Sequence, residues 1–453
     1  MPAPKLPAPG VAGPVRRRLV AWAPLLILAG CTAYRPLPLP RRAALAPSVA
    51  ALRHPGIVLP ARLGVADIAL LAVENDPVLR AARARRGIAQ AEILSAGILP
   101  NPTISAGLSP VIAGPGTTTG WSVGLSQDLQ ALVTLHARTQ AARAAAGGID
   151  ASILWQEWQV IGQARLLAVD LIEGARIRRL LAQARALLAR RYGATSRAVA
   201  QGNASLAAVS PDLAALIAAT RQAEAADRAQ QSLRHRLAAL LGLAPGAPLP
   251  LARRPDLPPV PAGAIAAALP GIADRRPDLI ALRLGYRAAD ARLRAAILAQ
   301  FPRLTFGVTG GSDTSNVRTF GPQITLDLPV FDRNQGAIAL ARATRRQLRA
   351  EYAARLTQAQ GEIRALRAET ALLRTQRDAA RARFVRTAAI AAAATSAFQA
   401  GNLTERAYVD FVTARIDAAR QVLGLDQSLL ERQVTMATLI GAGMPKVSRK
   451  RPR

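Results

Sequence analysis

The sequence predicts a mainly α chain, internally duplicated, in which each half joins long coiled-coil-like helices to a short pair of β-strands. Three observations predict it. The 453 residues are 51% hydrophobic but only 4% aromatic. The apolar residues are therefore chiefly Ala and Leu, which suit long helices better than a thick aromatic core. Segments near residue 75 recur near residue 275. Each half also holds two short runs in which apolar and polar residues alternate, the period of a strand with one apolar face.

The first element is the stretch "RRRLVAWAPLLILAGCTAY", Arg16 to Tyr34, which contains Cys31, the only cysteine of the chain. A lone cysteine forms no internal disulfide and no zinc pair; its plainest role is that of a small buried residue. The context points elsewhere. Three arginines precede a short apolar run, Leu19 to Ala29, which Pro24 interrupts. It is too short for a membrane helix and has the basic, apolar, small-residue plan of a secretory signal. Residues 1–30 are thus read as a signal peptide. Leu28-Ala29-Gly30-Cys31 resembles the bacterial lipoprotein box, which implies that Cys31 becomes the acylated first residue of the mature chain, carrying palmitate-type chains. Thr32 stands where an Asp would imply retention at the inner membrane, so the outer membrane is expected. Residues 31–62 then form a lipid-anchored N-terminal segment.

Formal net charge is +31; the signal removes Lys5 and Arg16 to Arg18 and no acid, leaving +27. Such a charge raises nucleic-acid binding as a class. The arginines, however, are scattered among Ala and Leu of helical segments, few aromatics are present for base stacking, and export removes the chain from nucleic acid. No nucleic-acid partner is expected. Beyond the signal, no clean apolar run reaches the roughly 20 residues of a membrane helix, so any membrane crossing must use strands.

The duplication shows in one register. With an offset of 200, Pro77 meets Pro277, Pro102 meets Pro302 and Gly107 meets Gly307, alongside Leu79, Ala81, Arg83, Ala89, Ala91 and Ala96. With an offset of 199, Gly202-Asn203 meets Gly401-Asn402, and the endings at Gly242 and Gly441 keep that spacing. A period this long exceeds any solenoid unit. The chain divides into a first repeat, 63–243, a Pro-rich connector, 244–263, a second repeat, 264–443, and a basic tail, 444–453.

Each repeat has the same plan. A helical stretch (about 67–99, about 278–300) ends before a proline. In the strands that follow, Leu304, Phe306 and Val308 oppose Arg303, Thr305 and Thr309; Ile324, Leu326 and Leu328 oppose Gln323, Thr325 and Asp327. Ile104, Ala106 and Leu108, then Trp121, Val123 and Leu125, repeat the pattern. Pro329 is expected to end the last strand, and the Gly/Thr/Ser-rich turns "GPGTTTG" and "GGSDTSN" to close two hairpins. Long helical patterns follow, about 131–199 and 333–398, each breaking at the Gly-Asn tip and returning over about 205–242 and 403–441. Gly147-Gly148 is expected to weaken or bend the first. Four amphipathic strands cannot close a membrane barrel, whose minimum is about eight, and open edges are not tolerated in lipid. Either the strands are soluble or several chains contribute to one barrel; three chains would supply twelve.

Catalytic signals are weak. "GWSVG", Gly120 to Gly124, matches G-x-S-x-G, but that motif needs a strand-to-helix turn, and Ser122 lies inside an alternating strand. His54, His136 and His235 share no ligand spacing. No Walker or dinucleotide loop appears. No catalytic residue, metal site or cofactor is assigned. "RRPDL" occurs at Arg253 and at Arg275 and reads as a helix start, with Pro at the first position and Asp beside it.

The lipoprotein box, the duplication, "AVENDPVLRAA", "RRPDLIAL", "FPRLTFGV", "LDLPVFDRNQG" and "AGNLTERAYVD" together resemble the TolC-like outer-membrane efflux family, in its lipid-anchored branch that works with resistance-nodulation-division pumps. The resemblance spans about residues 63–443. It implies a homotrimer with a twelve-stranded barrel in outer-membrane lipid above a helical tunnel that crosses the periplasm. It further implies a passive exit duct for drugs, metal ions or other solutes, partnered by a periplasmic adaptor and an inner-membrane pump. Leu304, Phe306, Ile324 and Leu326 would face lipid and Thr305 and Thr325 the lumen. Gly202, Asn203, Gly401 and Asn402 would meet the adaptor, and Asp410 would ring the periplasmic entrance. Ala407 stands where a second acid often lies, and "QDLQALVTLHAR" lacks the strand exit Leu328-Pro329-Val330-Phe331 of the second half. The alternatives are a secreted coiled-coil lipoprotein with a structural or adaptor role, and an exported hydrolase resting on Ser122. Neither accounts for duplicated strands beside long helices.

Overall fold

The computed structural model describes residues 34–445 except Pro55, Ile57 and Thr117. Cys31 and residues 1–30, expected as a signal peptide, lie outside the described residues. The chain divides at Ala44 into a short N-terminal unit and a unit spanning the rest. The described part of the first unit, 34–44, holds no helix or strand, and Tyr34, Leu37 and Leu39 stand exposed.

In the second unit the elements run α1 (Val65–Asn75), α2 (Pro77–Gly97), β1 (Thr103–Ser109), β2 (Gly120–Asp128), α3 (Gln130–Ala200) and α4 (Val209–Leu241). After the connector come α5 (Ala262–Ala268), α6 (Ile272–Arg275), α7 (Pro277–Leu298), β3 (Arg303–Ser312), β4 (Arg318–Asp327), α8 (Gln335–Gln399) and α9 (Glu405–Ile440). The 71 residues of α3 correspond to a rise of about 107 Å. The stretch expected as one helix over 67–99 is two. Pro77 cannot continue α1, and Asp76 instead caps α2 by accepting a hydrogen bond from the Leu79 N–H; Pro at the first helical position needs no donor.

Gly147 and Gly148 do not break α3, which continues through them. They face α7: a Cβ on Gly148 would lie 3.5 Å from the Ala281 carbonyl and 3.7 Å from the Leu284 side chain. An added Cβ would thus meet α7 at ordinary contact distance, and the helix runs on through both glycines.

The two "RRPDL" segments have different fates. At Arg275 the expectation holds, and Pro277 opens α7. At Arg253 no helix follows; Pro258, Pro259 and Pro261 deny the segment its backbone donors. The Asp256 carboxylate instead accepts the Val65 N–H at the start of α1, and a Cβ at Gly64 would collide with it. The motif caps a helix from a distance.

The four strands form one antiparallel sheet in sequence order, β1-β2-β3-β4. The register sets Ile104 against Leu125, Leu125 against Val308, Leu304 against Leu326 and Phe306 against Ile324. Directly paired residues share a face, so the alternating apolar residues of both hairpins lie on one side. Strand β4 starts earlier than the alternation suggested and takes in Pro322, opposite Val308. A proline is tolerated there because β4 is an edge strand. Leu328 falls beyond the strand end.

The helices follow the same serial order. Nearest the sheet, α3 packs against α2, through Arg83–Glu157 at 2.9 Å, and against α7, which reaches α8 through Arg345–Asp290 at 2.8 Å. Farther along, α3 lies between α4 and α9, and α9 pairs with α8 through Arg377–Asp426 at 3.5 Å. The series are therefore α2-α3-α7-α8 and α4-α3-α9-α8. The largest core cluster joins α1, α3 and α4 around Ile68, Leu71, Leu167, Leu171 and Leu241.

Candidate functional site

At the end of the helices away from the sheet, two helical hairpins turn. Gly202 and Gly401 adopt φ +75° and +76°, the left-handed conformation that favours glycine. After each, the next residue's N–H bonds five residues back, Asn203 to Ala198 O at 2.7 Å and Asn402 to Ala397 O at 2.8 Å. This is the Schellman arrangement that satisfies terminal helix carbonyls. The sequence expectation that these two Gly-Asn pairs are equivalent is visible here as the same backbone geometry made twice. All four residues are exposed. The second tip is stiffened by Phe398 stacked on Tyr408, centroids 4.7 Å apart and 11° from parallel.

The two tips are tied by an ionic cluster. Asp212, in the first turn of α4, is buried at 1% exposure. Its carboxylate accepts the Thr195 hydroxyl at 2.7 Å and the Arg406 guanidinium at 3.1 Å, while Arg406 also donates to the Ala208 carbonyl at 3.0 Å. Arg191, on α3, stands 3.1 Å from Asp212 with its Nε, a contact without hydrogen-bond geometry, and donates through its terminal nitrogen to Asp410. One buried carboxylate thus gathers α3, α4 and α9. Asp410, the acid singled out from sequence, is its outer member: 63% of its side chain is exposed, and Arg191 partners it. Arg191, Asp212 and Arg406 carried no motif. The available signal was Pro211-Asp212 at a helix start, matching the Pro-Asp pairs elsewhere in the chain.

At the sheet the apolar face is bare. Ile104 is 75% exposed, Phe306 47% and Ile324 67%; Leu304, Leu326, Trp121, Val123 and Leu125 join them. The opposite face carries Ser105, Ser122, Gly124, Thr305, Gly307, Thr309, Gln323 and Thr325, small or polar throughout. Ser122 sits within β2 opposite Gly107, with no turn to display it as a nucleophile. The β1 and β4 edges pair with no strand among the described residues. No helix of the described residues is long and apolar enough to cross a membrane, and none of those residues form a group of three or more His, Cys, Asp or Glu able to hold a metal.

Between sheet and tips, a second buried cluster holds α7, α8 and α3 together. Arg276 is fully buried, 2.7 Å from Asp278 and 3.6 Å from Glu362, with its guanidinium 4.8 Å over the Trp155 ring. Arg355 reaches the same Asp278 at 2.7 Å. Burial alone would raise the Asp278 carboxyl; the two guanidiniums outweigh it and hold the group below its ordinary value.

Residues 269–442 match the outer membrane efflux protein family. No curated protein matches the chain. Solved structures share its fold at low identity. A membrane protein of Pseudomonas aeruginosa aligns with a TM-score of 0.70 at 19% identity, covering 90% of this chain and 97% of that one. The outer membrane protein VceC of Vibrio cholerae gives 0.66 at 18%, covering 83% and 96%. The CmeC outer membrane channel of Campylobacter jejuni gives 0.67 at 16%, covering 85% and 87%. The chain thus resembles the TolC-like outer-membrane efflux family, by sequence over its second repeat and by fold over most of its length. That family consists of channels, not enzymes.

Proposed function

We propose that this chain is one protomer of a homotrimeric exit duct of a tripartite efflux system, anchored in the outer membrane through acylated Cys31 and extending into the periplasm. One observation carries the reading. Strands and helices follow one serial order, and each series ends in an unpaired element, β1, α2 and α4 on one side and β4 and α8 on the other. Two unlike edges that recur at every level of one chain suit head-to-tail association, which forms a ring when the rotation closes. Three copies supply twelve strands, above the minimum for a membrane barrel, and pairing β4 with the next β1 removes the exposed backbone that lipid would not tolerate.

In this reading the two repeats, 63–243 and 264–443, each contribute a hairpin to the barrel and a hairpin of helices to the tunnel. The bare apolar face with Leu304, Phe306, Ile324 and Leu326 meets lipid, and Thr305 and Thr325 line the lumen. The exposed tips at Gly202-Asn203 and Gly401-Asn402 meet the periplasmic adaptor, which connects to the inner-membrane pump. The cluster of Arg191, Asp212, Arg406 and Asp410 holds the tips of the two helical hairpins together and so keeps the entrance narrow. Three copies of Asp410 around the axis give a ring of carboxylates that favours cations, each moderated by its Arg191. Solutes pass without chemistry, driven by the partner pump.

Planar-bilayer recording of the purified full-length protein tests the proposal. Stepwise conductance from a species of three chains is expected. A monomer that gives no conductance would leave the structural or adaptor lipoprotein as the better reading.

A further inference from the structure

A cavity of about 410 Å³ opens between α8, α9 and the Pro-rich connector. That is the size of a small-molecule site. The two long helices line it with matched stripes at helical spacing, Arg367, Ala371 and Arg374 from α8 and Leu429, Arg432 and Met436 from α9. Its floor is apolar: Val260 and Ile265 of the connector side pack with Met436 on the core cluster around Ile363 and Ile440. Its rim is cationic.

The charges of that rim are unequally answered. Arg432 has Glu369 at 3.4 Å, and Arg377 has Asp378 at 2.7 Å and Asp426 at 3.5 Å. Among the described residues, Arg367 and Arg374 have no carboxylate within 4.0 Å. The Arg432 Nε is buried and meets Glu369 in a contact without hydrogen-bond geometry, a costly state for a donor. Ala371, between the two unanswered arginines, leaves the space that a larger side chain would fill. Guanidiniums above an apolar floor complement one anionic head joined to one apolar body.

We propose that this cavity binds a small amphiphilic anion, its head on Arg367, Arg374 and Arg432 and its body against Val260 and Met436. The site lies within one chain and does not rest on the duct reading.

The test uses the full-length protein in a neutral detergent and the fluorescent aromatic sulfonate 8-anilinonaphthalene-1-sulfonate. Saturable binding of one probe per chain is expected, displaced by dodecanoate but not by inorganic phosphate at equal ionic strength. The double variant Arg367→Gln, Arg374→Gln should weaken binding at least tenfold. Ala371→Trp should abolish it by filling the cavity, with thermal unfolding checked to show that both variants remain folded. Unchanged affinity in folded variants would overturn the assignment. Displacement by phosphate as effective as by dodecanoate would also overturn it, by revealing a bare anion site.

Discussion

Replacing Asp212 by Asn and Asp410 by Asn should have unequal consequences, although both are aspartates bound to the same Arg191. Asp212 is 1% exposed and faces two guanidiniums, Arg191 and Arg406, each at 3.1 Å. Removing one partner from a buried pair costs about 3–5 kcal/mol. Asn keeps the acceptor oxygen for the Thr195 hydroxyl, and Arg406 is 47% exposed and so regains water, which lowers the expected loss to about 2–3 kcal/mol. Asp410 is 63% exposed, and exposed pairs contribute about 0–1 kcal/mol. If the cluster holds the closed entrance together, the Asp212→Asn loss converts to a roughly 30- to 150-fold shift toward the open state and the Asp410→Asn loss to less than about sixfold. Single-channel open probability reads this directly. Arg191→Gln combined with Asp212→Asn should cost less than the sum of the two, as expected for residues in one network. Equal effects of Asp212→Asn and Asp410→Asn, or strict additivity with Arg191→Gln, would refute the argument.

The barrel reading predicts that Phe306→Arg impairs assembly of the oligomer, at about 2–4 kcal/mol for a charge at the bilayer midplane, whereas Thr305→Arg assembles and alters conductance; equal yields of assembled protein would disprove the assigned faces. Cys31→Ala should leave an unprocessed or unlipidated precursor, since stable anchoring needs more than one acyl chain; mature protein of wild-type mass without lipid, seen by mass spectrometry, would show the assignment to be wrong. Burial, then the neighbouring Asp170 carboxyl, pushes Glu431 from its ordinary 4.5 up to about 7. The folded chain then holds a proton that the unfolded chain releases, so this group's stabilising contribution is full below about 4.5 and is lost as pH rises to about 7. Glu431→Gln should flatten that part of the stability profile in thermal unfolding, and an unaltered slope between these pH values would contradict it.

Much of the fold was legible because the two periods are unlike. Alternation at Leu304, Phe306 and Val308 cannot be read as a helix, and the long Ala/Leu patterns cannot be read as strands. The repeat register located equivalent helix ends, since a left-handed glycine leaves a sequence mark at Gly202, Gly242, Gly401 and Gly441. What the sequence withheld was pairing across long distances. Asp256 looked like the start of its own helix, because nothing nearby indicates that α1, 191 residues away, needs its carboxylate. Gly147-Gly148 looked like a weak point, because nothing nearby in sequence shows that α7 packs beside them and that α3 continues through. Arg276 and Asp278 stand together in the second "RRPDL", but nothing in the sequence marks Trp155 as their partner, and only folding brings it over the Arg276 guanidinium.

The two halves also diverge where each strand pair hands over to a long helix, and the structure gives that divergence a physical form. After β2 the chain enters α3 at once: Asp128 accepts the Gln130 N–H at 2.8 Å, and the Gln130 amide donates to the Phe301 carbonyl at 2.9 Å. After β4 the chain instead crosses residues 328–334, with Leu328, Val330 and Phe331 exposed. It enters α8 at Asn334, whose φ of +59° is left-handed and whose amide donates to the Ala296 carbonyl at 2.8 Å. Asn is among the few residues with a side chain that tolerate that conformation. The first half has no counterpart of Leu328-Pro329-Val330-Phe331 at this point. It has a different joint, in which the Asp128 carboxylate accepts the first helical N–H and no loop intervenes. The second repeat alone keeps the longer exit, and the family match, at residues 269–442, falls on that repeat.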